Sequence, residues 1–316
     1  MSLANKRVAI IGAGAIGGFF GMLLARAGAQ VHFLFRSDFA TIQQHGLQLQ
    51  SKQFGDYRPQ PLHAYADAAD MPPCDWLLVA AKTTSNPALA PLINQVAAPG
   101  AKVVLLQNGL SVEDAMRPLL RDDLHLLGGL CFVSAHRRGN GVVEHVAGAR
   151  LTLGYHSGAT TAAEAQAVLD EGAALFAASG IDAKPMDDIA HARWQKLLLN
   201  IPLNGLSVLV QSGSLAMMSH PQTRALVREL MEEVAAGAAA CGHPLSAASL
   251  EHAWASTDVK ADYHPSMYLD FAARRPLELE AIYAAPLAEV AKVGFAMPKI
   301  EMLYQTLSFL DARNRQ

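Results

Sequence analysis

The chain opens with a short apolar run that ends in glycines at G-x-G-x-x-G spacing, Gly12, Gly14 and Gly17. The apolar run predicts a buried parallel strand, and residues 19–28 predict a helix that ends at a glycine. In this context the first glycine permits a tight turn, the second lets backbone approach a pyrophosphate, and the third lets helix and strand pack closely. The helix N-terminus would also offer free N–H groups to phosphates. We therefore expect a dinucleotide to bind along six residues: Gly12, Ala13, Gly14, Ala15, Ile16 and Gly17.

The residue after the second predicted strand indicates which dinucleotide is bound. That strand covers residues 30–35 and is followed by Arg36. An NAD(H) site usually has an acid at this point, which binds the ribose hydroxyls, whereas an arginine can bind a 2′-phosphate through two parallel hydrogen bonds. Arg36 therefore favours NADP(H), with a solvated surface arginine as the alternative interpretation.

Length and composition narrow the class of protein. A chain of 316 residues usually forms two domains, and 51% hydrophobic with 17% charged residues is typical of large globular cores. The net charge of −3 gives no electrostatic reason to expect nucleic acid or a membrane surface as a partner. Three cysteines without a C-x-x-C pair, and no signal peptide or membrane span, favour a reducing, cytoplasmic location. None of the twelve histidines has metal-ligand spacing, so no metal site is expected.

Two regions of different character divide the chain. Up to residue 186, strand-like and helix-like segments alternate, which predicts an α/β Rossmann domain with a parallel sheet. From 187 to 316 long apolar-periodic segments predict an all-helical domain. The expected strands of the first domain beyond residue 36 are 76–81, 103–106, 126–134, 141–146, 150–155 and 180–183, and its further helices are 86–96 and 162–179. The expected helices of the second domain include 189–210, 222–241 and 279–293.

Polar residues follow three of the predicted parallel strands: Arg36, Lys82 and Asn108. In open parallel sheets, ligands bind beyond the carboxyl ends of the strands. Any one of these residues alone is better explained as an ordinary polar residue at a strand end. Three together beside a dinucleotide fingerprint indicate a rim around the cofactor.

The second domain contains a polar stripe within an apolar helix. Lys196, Asn200 and Asn204 recur every fourth residue, so they share one face of a helix at about 100° per residue. Buried amide and ammonium groups need partners, and either a polar substrate or water and neighbouring loops would supply them. Pro202 is expected to kink the helix and to displace Asn204.

A lysine in such a stripe suits the reduction of a ketone. Hydride arrival at a carbonyl carbon builds negative charge on the oxygen, which an ammonium group stabilises and then protonates. Ser266 and Glu278 flank a further helical segment. A carboxylate near the lysine would hold its charge, although Glu278 and Glu280 are equally consistent with helix-surface acids.

Together these motifs resemble the ketopantoate reductase (2-dehydropantoate 2-reductase) family over nearly the whole chain. The most specific match is W-x-K-x-x-x-N-x-x-x-N, which begins at Trp194, and Ser266 lies twelve residues before Glu278 as in the family. The resemblance implies a helical domain similar to that of 6-phosphogluconate dehydrogenase. It also implies NADPH-dependent reduction of 2-dehydropantoate to (R)-pantoate, in the pantothenate route to coenzyme A.

The same resemblance assigns roles to the candidate residues. Lys196 would donate the proton, with Glu278 nearby as a catalytic and cofactor-contacting residue. Asn108 would lie between nicotinamide and substrate, and Arg36 and Lys82 would contact the adenosine side of NADP(H). The substrate would be bound by Asn108, Asn200, Asn204 and Ser266.

Two departures from the family pattern lie on the substrate side. The Asn-Gly that usually follows the glutamate is missing after Glu278, and Ser214 stands where the family often has an asparagine. Reduction of another small branched 2-oxo acid is therefore an alternative, and a non-catalytic NADP-binding sensor is a second one. The apolar helix faces would also allow a homodimer.

Overall fold

The computed structural model describes residues 3–258 and 262–315, which form two compact units. One unit contains the chain up to Gln107 together with Val112–Ile189, and the other contains Asn108–Ser111 and the described residues from Ala190 onward. The predicted boundary followed residue 186, whereas this division follows Ile189. The prediction also placed Asn108–Ser111 in the first domain. The contacts of this segment with residues far along the chain cannot be seen in the sequence.

Within the described residues, a nine-stranded sheet forms the centre of the first unit, in the order β3-β8-β7-β6-β5-β1-β2-β4 with β9 paired to β8. Every pair is parallel except β7 with β8, so the predicted α/β class with a parallel sheet is confirmed. The strands are β1 (Arg7–Ile11), β2 (Gln30–Leu34), β3 (Gln48–Ser51), β4 (His63–Tyr65), β5 (Cys74–Val79), β6 (Ala97–Leu105), β7 (His125–Arg137), β8 (Val142–Ser157) and β9 (Asp182–Met186).

The helices of the first unit follow the predicted alternation. They are α1 (Ala15–Arg26), α2 (Phe39–His45), α3 (Asn86–Val96), α4 (Val112–Met116) and α5 (Ala162–Ala178). Helix α3 has the predicted bounds, and α1 begins directly after the second glycine of the fingerprint rather than at residue 19.

One prediction about the sheet was wrong. Residues 141–146 and 150–155 were expected to be two short strands joined by a glycine turn, but both belong to β8. Gly148, with φ of +74°, interrupts the strand without ending it, and the pairing with β7 shifts register beside it. A glycine with positive φ suits a β-bulge as well as a turn, so its identity alone could not decide between them.

The second unit is helical. Its helices are α6 (Ile189–Leu199), α7 (Gly205–Leu209), α8 (Ser214–Ser219), α9 (Pro221–Ala240), α10 (Ala247–Ala255), α11 (Ser266–Ala272), α12 (Ala285–Lys292) and α13 (Pro298–Asn314). None of the helices in the described ranges combines the length and apolarity needed to cross a membrane.

Two of the expected continuous helices contain a widened π-turn. The helix predicted over 189–210 changes from α6 to a π-turn at Asn200–Asn204 and then to α7. The helix predicted over 279–293 begins with a π-turn at Glu280–Ala284 and continues as α12. Pro202 lies within the first π-turn and Pro286 lies two residues after the second, and each lacks the N–H that an α-helix needs at that point. Such π-turns occur often at functional sites.

The two π-turns are joined by a buried tyrosine. The Tyr283 hydroxyl donates a hydrogen bond of 2.8 Å to the carbonyl oxygen of Ile201. Burial raises the pKa of this hydroxyl, so it remains protonated and able to donate. Gly205 leaves the space that the ring needs, because a Cβ there would lie 2.5 Å from the Tyr283 hydroxyl oxygen and 2.8 Å from a methyl carbon of Leu303.

We expect Gly205→Ala to lower the free energy of unfolding by roughly 2 kcal/mol through overpacking. Tyr283→Phe should cost about 1 kcal/mol for the lost hydrogen bond. The double variant should lose less free energy of unfolding than the two single variants lose together, because removal of the hydroxyl makes room for the new methyl group. Urea unfolding of the three variants measures this coupling, and strictly additive losses would contradict the packing described.

Candidate functional site

The glycine fingerprint forms an open cradle at the start of α1. Gly12 has φ of +91°, and a Cβ there would collide with the backbone of Ala81. A Cβ on Gly17 would collide with the carbonyl oxygen of Gly12 and lie 2.9 Å from Ile10. A Cβ on Gly14 would meet no atom within 4 Å. The first and third glycines are therefore required by packing, whereas the second keeps a surface clear.

The first turn of α1 suits an anion. Gly14 is the N-cap and provides no side-chain cap, and the turn contains no acid. The first intrahelical bond runs from Gly18 N–H to Gly14 O at 2.9 Å. The N–H groups of Ala15, Ile16 and Gly17 precede it, so they lack intrahelical acceptors and point beyond the helix end.

Two of the predicted cofactor-contacting cations lie at the same sheet edge as this cradle. Arg36 is exposed just beyond β2, and half-buried Lys82 follows β5 as the N-cap of a short 3₁₀ turn. Strands β2 and β5 are the two parallel neighbours of β1, which leads into the fingerprint. The carboxyl ends of all three strands therefore lie side by side.

Asn108, the third predicted strand-end residue, belongs to the helical unit. The neighbouring Gly109 has φ of +111°, and its carbonyl oxygen accepts a 2.8 Å hydrogen bond from the Arg193 guanidinium. The Leu110 N–H donates to the carbonyl oxygen of Ala281 at 2.8 Å. Asn108 is thereby held beside α6 and the second π-turn.

Arg193 is a site residue that the sequence analysis missed. Arg193 is only 2% exposed, and it lies one helical turn before Lys196. The only local signal was its position three residues before the predicted proton donor, in a stretch that also contains other polar residues. Its acceptor lies 84 positions away in the sequence, so the role of the arginine could not be inferred.

The predicted polar stripe lies along α6 and the first π-turn. Lys196 and Asn200 are half-buried, and Asn204 is 5% exposed. The side-chain nitrogen of Asn200 is shielded from solvent and has no hydrogen-bond partner among the described residues. A buried donor of this kind costs free energy until an acceptor reaches it, which favours a bound polar ligand.

Asn204 has an internal partner. Its side-chain oxygen accepts a 3.2 Å hydrogen bond from the backbone N–H of Met267, in the first turn of α11. The contact places the adjacent residue, Ser266, beside the end of the stripe. The structure therefore joins Asn204 to the first turn of α11, the helix that begins with Ser266.

Glu278 is buried, with 4% exposure, and it lies two residues before the start of the second π-turn. The alternative that it is a surface acid is wrong, whereas Glu280 is indeed exposed. A buried carboxylate must be compensated by nearby donors or cations, which makes Glu278 a candidate for a role in the site.

Ser214, one of the departures from the family pattern, has a structural role. It is 3% exposed, its N–H donates to the carbonyl oxygen of Tyr263 at 2.8 Å, and its hydroxyl accepts from the Tyr263 N–H at 3.3 Å. These bonds fasten the segment that leads into α11 and Ser266. Across the described ranges, no group of three or more potential metal-ligating acids, histidines or cysteines is found.

Two family profiles match the chain. The profile described as "Ketopantoate reductase PanE/ApbA" covers residues 8–158, and "Ketopantoate reductase PanE/ApbA C terminal" covers residues 188–311. The chain belongs to the ketopantoate reductase family. The resemblance predicted from the sequence motifs is therefore confirmed.

Several proteins named as reductases of this family are similar to this chain over almost its whole length. A 2-dehydropantoate 2-reductase of a Nostoc species is 38% identical over 98% of this chain and 97% of its own. The crystal structure of 2-dehydropantoate 2-reductase from Geobacter metallireducens has a TM-score of 0.88 and 37% identity, covering 96% of this chain and 99% of that one. A D-mandelate dehydrogenase with NADH and anilino(oxo)acetate, at 21% identity, covers 98% of this chain and 100% of its own with a TM-score of 0.87, and shows the fold alone.

Two glycines of the fingerprint have different roles, since Gly17 is required for packing and Gly14 keeps the ligand surface open. Gly17→Ala should lower the free energy of unfolding by roughly 2 kcal/mol because its Cβ collides with backbone. Gly14→Ala should leave unfolding unchanged yet weaken dinucleotide binding at least tenfold, about 1.4 kcal/mol, by occupying the open surface. Urea unfolding and titration with NADPH measure the two effects. Equal binding by wild type and Gly14→Ala would contradict the cradle.

Proposed function

We propose that this chain reduces 2-dehydropantoate to (R)-pantoate with NADPH. The observation that carries the proposal is the half-buried stripe of Lys196 and Asn200, in which the shielded side-chain nitrogen of Asn200 has no acceptor among the described residues. The chain also matches 2-dehydropantoate 2-reductases over almost its whole length. The product would serve the pantothenate route to coenzyme A, and we keep the expectations of a cytoplasmic location and a homodimer.

The residues of the first unit fit NADP(H). The open surface at Gly14 and the free N–H groups of α1 suit a pyrophosphate, and Arg36 beyond β2 suits a 2′-phosphate. Lys82 would add a second cation on the adenosine side. The bound nicotinamide supplies a hydride to the keto carbon.

Residues of the helical unit would bind and polarise the ketone. The Lys196 ammonium would stabilise the charge that develops on the carbonyl oxygen and then donate a proton to the alkoxide. Asn200 would donate its shielded N–H to the substrate. Because the Asn204 oxygen is engaged by Met267, Asn204 would reach the substrate through its amide nitrogen.

Three further residues would complete the site. Ser266 would donate its hydroxyl to the substrate, and Asn108 would lie between substrate and nicotinamide. Buried Glu278 would keep Lys196 protonated and contact the cofactor. The anchoring of Gly109 by Arg193 would fix the position of Asn108.

A second candidate function is reduction of another small branched 2-oxo acid. Ser214 favours it, because this residue is committed to backbone contacts with Tyr263 where the family often offers an asparagine. The missing Asn-Gly after Glu278 also lies on the substrate side. A non-catalytic sensor is less consistent with the chain, which retains the lysine that a reductase needs.

The purified protein should oxidise NADPH in the presence of 2-dehydropantoate faster than with any other acid in a panel of branched 2-oxo acids. Lys196→Ala should lower kcat about 10²–10⁴-fold through loss of the general acid, while NADPH still binds. Lys299→Ala is the matched control, since this exposed lysine of α13 pairs with Glu229.

Absorbance of the reduced nicotinamide reports turnover, and fluorescence titration reports NADPH binding. Turnover with a different 2-oxo acid only would overturn the substrate assignment. Near-normal kcat in Lys196→Ala would remove this lysine from the proton transfer.

A further inference from the structure

Arg137, the last residue of β7, joins three parts of the dinucleotide-binding unit. Its guanidinium donates to the carbonyl oxygen of Ala13, inside the glycine fingerprint. It also forms an ion pair of 3.0 Å with the Asp38 carboxylate and lies over the Phe35 ring, 5.8 Å from its centroid. The side chain is only 22% exposed, so these contacts hold it in place.

These contacts surround the place where adenosine would bind. In this fold, the ribose of the adenosine lies between the glycine-rich turn and the end of the second strand. Ala13 belongs to the glycine-rich turn, and Phe35 directly follows β2. Arg137 therefore connects the two elements that would hold the ribose, and the second of them leads directly into Arg36.

Asp38 presents an electrostatic problem for a phosphorylated ribose. It lies two residues beyond Arg36, and its other carboxylate oxygen accepts from the Ser37 hydroxyl at 3.1 Å. A carboxylate at this end of the strand favours ribose hydroxyls and repels a 2′-phosphate, whose charge is close to −2. Without a neighbouring cation, Asp38 would oppose the preference that Arg36 creates.

We propose that Arg137 determines the preference for a 2′-phosphate by neutralising Asp38, while its hydrogen bond to the Ala13 carbonyl oxygen holds the guanidinium in place. Arg137 thus acts as a positioning residue, and Arg36 makes the phosphate contact. This inference rests on the proposed use of NADP(H).

The test measures binding of adenosine fragments, so it needs no turnover. Isothermal titration calorimetry gives the Kd of 2′,5′-ADP, which carries the 2′-phosphate, and of 5′-AMP, which differs from it only in lacking that phosphate. Wild type should bind 2′,5′-ADP more tightly. Arg137→Met should lower the ratio of the two affinities about tenfold, as expected for one uncompensated carboxylate near the phosphate.

Two further variants isolate the charge of Asp38. The double variant Asp38→Asn/Arg137→Met should recover a ratio within about threefold of wild type, because no carboxylate remains to be neutralised. Arg138→Met is the matched control, since Arg138 is the next residue and pairs with Glu144 instead. It should leave the ratio unchanged.

Arg137→Gln keeps a donor for the Ala13 carbonyl oxygen without the charge, and it should show the same fall in ratio if Arg137→Met unfolds. An unchanged ratio in the Arg137 variants, equal losses for both fragments, or no recovery in the double variant would overturn the proposal. If wild type binds both fragments equally, the use of NADP(H) fails instead. The assay of NADPH oxidation with 2-dehydropantoate tests the reductase function separately.

Discussion

The hydrogen bond between Tyr283 and the Ile201 carbonyl oxygen is the contact on which the candidate site residues of the helical unit depend. It joins two π-turns, each of which departs from regular α-helical bonding beside a proline. Asn200 directly precedes Ile201, and Glu278 lies shortly before the turn that carries Tyr283. The bond therefore fixes the spacing between the polar stripe and the buried acid, and Gly205 leaves the room that it requires.

Within each unit, hydrogen bonds to backbone carbonyl groups hold further segments that carry candidate site residues. Donors from distant parts of the chain reach Ala13, Gly109 and Ala281: the first from Arg137, the second from Arg193, and the third from the Leu110 N–H. A backbone acceptor fixes the course of the chain independently of residue type at that position. The side chains proposed to meet cofactor and substrate are thus carried by segments whose positions are set by other residues.

The sequence predicted what depends on local pattern. The strand–glycine–helix unit follows from hydrophobic periodicity and glycine spacing. Helix α3 follows from its apolar repeat and from the proline and glycine that come shortly after it. The stripe of Lys196, Asn200 and Asn204 was visible for the same reason. An irregularity at Pro202 was expected from the proline itself, although not its form as a π-turn. The second π-turn, the bulge at Gly148 and the anchoring of Asn108 were not predicted, because tertiary packing decides them. Arg137 and Arg193 were missed since a lone arginine carries no spacing signal and its acceptor lies far away in sequence.

The central claim is that the stripe completes its hydrogen bonding with the substrate, and Asn200→Ala tests it most directly. Removal of an unpartnered buried donor should leave the free energy of unfolding unchanged or raise it by up to about 1 kcal/mol, while KM for 2-dehydropantoate rises at least tenfold. Asn204→Ala, which releases Met267, should instead lose stability. Lower stability of Asn200→Ala with an unchanged KM would contradict the account.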